Sequence, residues 1–491
     1  MSGDKDSAQQ RDDYRRIKWN GWGSRGRAMV LDPNDPFVVI HPTGKKIRGL
    51  TDFIAKEISG STGGERVKLT PSPSVSLEEA LQKLQPPVVN DAFVSAFGSE
   101  LRSEQLHQDG ESRLIHVVGK NYRDLWRMRR GDIARAPDAI AVPESHDDCV
   151  KLVALADKHN VVLIPFGGGT NVTGGVEASP FETRRMIVSV DMRRMGKMLS
   201  IDKESRIATF ECGVLGPDLD EQLGRHGFML GHDPDSYIHS TLGGWIAARG
   251  SGAYSNKYGD IENMVLSMKV ATPKGVIETP LASRQCGPDM SGLFVGSEGI
   301  FGIITEATVK IEPVPPVRHY EGWLFPSFEE GYAAFYKVVK QDLAPVCMRL
   351  YDDDETRMSF ALKTDAPKIQ DLAGKGIKQY IKLVKGFDLD KVCLCIVGFE
   401  GTPYNVAHER AGVTKIFHAA NAFRVGTGAG DNWQEKKYDL PYVRDFALGH
   451  GYWADVFETT AFYGQGVGLW RAVKQAVRDV WKAEGKQGWI G

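Results

Sequence analysis

PFGGGTNVTGG, residues 165–175, places five glycines in eleven positions immediately after the apolar run Val161-Val162-Leu163-Ile164. The run reads as a buried strand and the glycines as the turn that leaves it. Glycine tolerates positive φ and carries no Cβ, so such a turn lets several backbone N–H groups converge on one anion. Each charge-assisted bond of that kind contributes about 1.5–3 kcal/mol, and a diphosphate is the natural ligand. Two familiar phosphate loops do not fit. A G-x-G-x-x-G reading from Gly167 needs glycine or alanine at 172, where Val172 stands, and no amphipathic helix opens after the loop. A P-loop needs lysine and then serine or threonine after its last glycine, whereas Gly174 is followed by Gly175 and Val176. Alone, the loop is as compatible with a plain tight turn as with phosphate binding.

Two further stretches change that balance. HDPDSYIHSTLGGWIAARGSG (232–252) sets Asp235, Ser236, Ser240 and Thr241 around Gly243-Gly244, where a helix is expected to begin with free N–H donors. GSEGIFG (296–302) adds a glycine turn just before a strand. Three polar loops of small residues beside strands of one domain suit a long dinucleotide better than a lone phosphate.

The flanking sequence supplies the scaffold. PESHDDCVKLVALADKHN (143–160) reads as a helix, with Ser145 and Asp148 spaced as a capping box. Strands are expected at 185–192, 206–212, 264–273 and 301–313. Residues 1 to about 135 read as polar and irregular with helical patches such as SLEEALQKL (76–84), and proline-rich EPVPPVRHY (312–320) marks a boundary. Beyond it strands and helices alternate, as in a sheet covered on one side by helices.

Composition narrows the function. A formal net charge of −2 and a pI near 6.7 give no general attraction to nucleic acid or anionic membranes. The six cysteines (Cys149, Cys212, Cys286, Cys347, Cys393, Cys395) form no C-x-x-C pair, so reduced, mostly buried thiols are expected and a metal site is not. Cys393 and Cys395 should share one face of a strand. No apolar stretch approaches the roughly 20 residues that span a bilayer, and neither terminus carries a readable address: the N-terminal stretch has no hydrophobic segment and GWIG is not a peroxisomal S-K-L signal.

Taken together these stretches resemble the FAD-binding domain of the vanillyl-alcohol oxidase (PCMH-type) flavoproteins, and most closely the alkyldihydroxyacetonephosphate synthase family. The resemblance covers nearly the whole chain: KWNGWG (18–23), APDAIAVPESHDDCVKLV (136–153), the opening loop, 231–265, GPDMSGLFVGSEGIFGIITEATVKI (287–311) and YVRDFALGHGYWADVFETTA (442–461). It implies an α+β protein with a partly helical N-terminal region (1–133), a PCMH-type FAD-binding domain (134–314) and an α+β cap domain (315–491). By this similarity Pro165-Phe166-Gly167-Gly168-Gly169-Thr170-Asn171 hold the FAD diphosphate. Asp235-Ser236-Tyr237-Ile238-His239-Ser240-Thr241, Ala248-Arg249-Gly250-Ser251 and Glu298-Gly299-Ile300-Phe301-Gly302-Ile303-Ile304 line the remaining cofactor surface. Some superfamily members tether FAD through a histidine in the first loop; this loop has none, which implies noncovalent FAD. Arg444 in YVRD matches the family arginine beside substrate and flavin, and a guanidinium fork suits carboxylate or phosphate.

The family exchanges the acyl group of acyl-dihydroxyacetone phosphate for a long-chain fatty alcohol, making an ether lipid without net redox change. The resemblance further implies a homodimer, peripheral membrane association for lipid access and a peroxisomal location. It also implies acid–base groups, a tyrosine and a run of histidines, in a segment beyond WKAEGKQGWIG. No His-His pair occurs in these 491 residues, so the expectation is FAD binding without assigned catalytic residues and without ether product unless that segment is restored. His232, His239 and His450 read as local hydrogen-bonding residues. Two other readings stay open: an FAD-dependent dehydrogenase of D-lactate or glycolate, which would share the glycine loop, and an inactive subunit that pairs with a full-length copy.

Overall fold

The computed structural model describes residues 16–32, 37–58, 69–281, 288–363 and 379–491. The chain divides into two compact units. One holds Ser72–Val314 with the stretch ending at Arg25 and with Tyr452–Asp455; the other holds Gly26–Pro71, Pro315–Gly451 and Val456–Gly491. The first 133 residues are thus shared between the two, and the break after Val314 falls inside the proline-rich stretch.

In the first unit a four-stranded sheet runs in the order Leu106–His107, Ala139–Ala141, Ile187–Asp191, Val162–Phe166, with the last three strands parallel. Helix His146–His159 is the crossover between two of them, and its Cys149, Leu152, Val153 and Ala156 share a core with Ala139, Val188 and Val190. Half of the expected capping box forms. Ser145 Oγ accepts the Asp148 N–H at 3.1 Å, but the Asp148 carboxylate accepts from Glu144 N–H at 2.9 Å, one residue earlier than the box requires. The strand expected at 161–164 is Val162–Phe166, and only Phe166 is fully buried, because the strand stands at the end of its sheet. A second sheet of five antiparallel strands is ordered Gly275–Glu278, Val265–Thr272, Ile303–Lys310, Ile207–Glu211, Met198–Asp202. Phe210, Leu223, Leu242, Ile246, Met268 and Val309 form the core on it.

The second unit is built on a four-stranded antiparallel sheet, Cys347–Leu350, Cys393–Gly401, Val317–Phe325, Phe423–Gly426. Helices Phe328–Lys340 and Pro403–Ala419 cover it, closing Val338, Val413 and Phe417 onto Trp323, Cys393 and Cys395, which share a face as their spacing predicts. A further three-stranded sheet, Ala28–Leu31, Val38–His41 and Lys45–Ile47, replaces part of the irregular region expected near the N-terminus. Both units mix helices with sheet, so the architecture is α+β. The described cysteines are free and buried; Cys286 lies outside the described residues. Asp352, Asp353 and Asp354 bring carboxylate oxygens within 4.8 Å of one another. The buried Lys474 of helix Gly466–Ala483 sits among them, bonded to Asp352 and 2.6 Å from Asp354 Oδ2, so the charge is met by an ammonium from the chain itself.

Candidate cofactor site

The glycine loop starts from a fixed base. The Phe166 ring packs on His116 with centroids 4.3 Å apart, and His116 Nε2 lies 3.0 Å from Asp191 Oδ2 on the neighbouring strand. Burial pushes the Asp191 carboxyl up, but Arg193 and His116 outweigh it and hold the group well below the usual carboxylate range. The loop therefore leaves the sheet from a buried, charge-neutralised corner.

Here the glycines serve close approach between segments. A Cβ on Gly168 would stand 1.5 Å from the carbonyl oxygen of His239, and one on Gly167 would stand 2.3 Å from Thr241 Oγ1. Gly169 has φ +67°, a conformation most side chains avoid. The loop therefore crosses segment 235–241 backbone to backbone. Segment 298–304 joins them, since Thr173 Oγ1 lies 2.9 Å from Glu298 Oε2. Glu298 N–H also donates to Ala247 O at 2.9 Å, and Arg249 Nη2 to Val295 O at 3.0 Å, which brings in 248–251. All four sequence-predicted cofactor segments thus meet within one unit.

Among the described residues, the N–H groups of Gly167, Gly168, Gly169 and Thr170 give no hydrogen bond within the chain. Four consecutive unspent donors around a positive-φ glycine are the elements of an anion nest, and a diphosphate matches that donor set. The other expected source of donors fails. Helix Leu242–Ala248 does begin at Thr241, but Leu242 N–H is spent on Val214 O, Gly243 N–H on Cys212 O and Gly244 N–H on Thr241 Oγ1. Its first turn is stitched to the chain after strand Ile207–Glu211 and offers nothing to a ligand.

The predicted lining residues separate by environment. Tyr237 donates its hydroxyl to Asp220 at 2.8 Å, Ser240 Oγ takes the Trp245 indole N–H at 2.6 Å, and Ile303 and Ile304 belong to the cores, so these hold the loops in shape. Asp235, Ala248, Ser251, Glu298, Ile300 and Phe301 are exposed; Ile300 at 76% leaves an apolar surface of the kind a flat ring system covers. His232 does not behave as a local hydrogen-bonding residue. It is buried, its ring lies 4.9 Å from Trp245, neither nitrogen has a partner among the described residues, and burial lowers its pKa to about 4. His450 does bond locally, Nδ1 to Phe446 O at 2.9 Å. Arg444 is not among the glycine loops' own unit: it lies half-buried on helix Leu440–Gly449 of the second unit.

Residues 137–279 match the FAD binding domain family, and residues 314–481 match the C-terminal domain of FAD linked oxidases. FAD is accordingly the cofactor of this fold. The alkyldihydroxyacetonephosphate synthase of Trypanosoma brucei brucei is 55% identical over 98% of this chain and 78% of its own length. That of Dictyostelium discoideum is 39% identical over 100% of this chain and 81% of its own. A solved structure of an alkyldihydroxyacetonephosphate synthase superposes with a TM-score of 0.86 at 38% identity, covering 96% of this chain and 85% of that one. On this similarity, carried through both units, the chain belongs to the alkyldihydroxyacetonephosphate synthase family.

Proposed function

We propose that this protein exchanges the acyl group of acyl-dihydroxyacetone phosphate for a long-chain fatty alcohol, releasing a fatty acid and forming the alkyl ether. The observation that carries the reading is whole-chain similarity to synthases of one name, joined to a nest of unspent N–H groups in the matched FAD domain. FAD would be held noncovalently, its diphosphate by the N–H groups of 167–170, with the exposed Ile300 and Phe301 available to its ring system. When bound, the flavin would supply an electrophilic ring to the exchange. The chain's own residues bind and orient: the nest fixes the cofactor, and the guanidinium of Arg444 suits the substrate phosphate. Homodimerisation, peripheral association with a membrane that delivers both lipids, and a peroxisomal location belong to the same reading.

The test is incubation of the purified yellow protein with acyl-dihydroxyacetone phosphate and labelled hexadecanol, for the chain as it stands and for the chain joined to a relative's C-terminal segment. Labelled ether from either, with no lasting flavin reduction, supports the proposal. No ether from both, with anaerobic bleaching by D-lactate, replaces it with hydroxyacid oxidation.

A further inference from the structure

KWNGWG (18–23) has no task in the cofactor reading. In the structure it is the tip of a hairpin. Ile17 bridges Ser24, Lys18 N–H donates to Gly23 O at 2.9 Å, and Arg25 N–H donates to Arg16 O at 2.6 Å. Its two tryptophans do different things. Trp19 enters a core with Leu114, Val117 and Met128, which anchors the hairpin. Trp22, 5% exposed, sets its ring on edge against His239, with centroids 6.1 Å apart and planes at 80°. His239 is the residue whose carbonyl backs onto Gly168.

The hairpin also holds the other partner of that crossing. Lys120, buried, donates its ammonium to Lys18 O at 2.7 Å and its backbone N–H to Asn171 O at 2.7 Å. Asn171 closes the glycine loop, its Oδ1 accepting the N–H groups of Thr173 and Gly175. One hairpin thus grips segment 235–241 through Trp22 and segment 165–171 through Lys120.

We infer that the hairpin Arg16–Arg25 is a clasp for the FAD diphosphate, with Trp22 and Lys120 as positioning residues that fix the crossing at Gly168 and so pre-form the nest. A nest already formed spares binding the cost of ordering the loop. The inference rests on the FAD reading, and the experiment separates the two. Deflavinated wild type, Trp22→Ala, Trp22→Leu, Trp22→Phe and Phe97→Leu are titrated with FAD by flavin fluorescence and visible absorbance, and each apoprotein is melted. Phe97 lies in a different core of the same unit and controls for general loosening. The expected result is a lower apoprotein melting temperature in Trp22→Ala, whose ring is buried, together with an FAD Kd raised about tenfold, and most of the affinity restored in Trp22→Phe. Phe97→Leu should lower the melting temperature and leave Kd alone. Should the alanine variant not fold, Trp22→Leu, which keeps an apolar plug without a ring edge, carries the same comparison. Wild-type affinity in Trp22→Ala or Trp22→Leu, or an affinity loss in Phe97→Leu as large as theirs, overturns the clasp. Failure of wild type itself to take up FAD removes the cofactor reading and the clasp with it.

Discussion

Glu298 Oε2 and Thr173 Oγ1, 125 residues apart in sequence, lie 2.9 Å from each other. The bond ties the turn before strand Ile303–Lys310 to the far end of the glycine loop, and Glu298 holds it from a left-handed backbone with φ 49°. Both partners are exposed, so the bond shapes the mouth of the nest and contributes little to global stability. Glu298→Ala is expected to weaken FAD binding several-fold in a fluorescence titration while the apoprotein melts as wild type. Glu298→Gln, which keeps an acceptor, should stay near wild-type affinity. Equal affinities for all three would show that the two loops are held together by other means.

Gly168 and Gly174 sit in the same loop under different constraints. A methyl on Gly168 meets the backbone oxygen of His239, which belongs to the crossing itself and has no rotamer to retreat into. At Gly174 nothing lies within 4 Å, and only its φ of +86° resists a side chain. Gly168→Ala is therefore expected to yield protein without flavin absorbance or no soluble protein. Gly174→Ala should cost only about 1 kcal/mol of stability and keep its colour. Absorbance near the flavin maximum, normalised to protein, separates them.

The strands at 187–191, 207–211, 265–272 and 303–310 fell within their sequence-predicted limits because apolar runs bounded by polar turns are local signals. Three polar small-residue stretches were legible in the sequence, but the use of each glycine was not. The carbonyl that excludes a Cβ at Gly168 comes from residue 239, a tertiary fact with no local trace. The same holds for the first turn at Leu242, whose donors look free in sequence and are spent on Val214 and Cys212. The three short strands between Ala28 and Ile47 escaped because none exceeds four residues. His232 looked ordinary because burial without a partner leaves no mark on the residues beside it.

Acid sensitivity should follow from His232. Burial depresses its folded pKa to about 4 from the usual 6.5, so the folded protein favours the neutral ring. That contribution is complete above about pH 6.5 and is lost as pH falls toward 4, where the unfolded chain takes up the proton first. Apoprotein melting temperature is expected to fall over this window, and His232→Phe should flatten the slope there. An unchanged slope in the variant would mean that other groups set the acid limit.

Arg444 lies on helix Leu440–Gly449, outside the unit that holds the nest. If its guanidinium meets the substrate phosphate, Arg444→Ala loses charge-assisted bonds worth about 1.5–3 kcal/mol, or roughly ten- to more than a hundredfold in kcat/KM. FAD content should not change. Arg444→Lys keeps the charge but not the fork and should recover only part of the loss. A variant that loses flavin instead would move Arg444 from substrate to cofactor.

Among the described residues Lys474 is the buried cation of the second unit, and its removal isolates what the three aspartates cost. Its side chain is 7% exposed, between Asp352 at 4% and Asp354 at 8%. Asp354 keeps Arg357 and Arg478 as partners, and Asp352 keeps only hydrogen bonds from Trp470 Nε1 and Glu355 N–H among the contacts described. Truncating one partner of such a pair leaves an unpaired buried charge, so Lys474→Met should destabilise the protein by about 3–5 kcal/mol in denaturant unfolding. Asp352→Asn in the same background removes that charge and keeps the cap on helix Asp353–Ala361, and should return a large part of the loss. Both variants should bind FAD as wild type, since the match to the FAD binding domain, residues 137–279, falls wholly in the other unit. A single variant costing under about 1 kcal/mol would place water, and not the ammonium, as the counterpart of the aspartates.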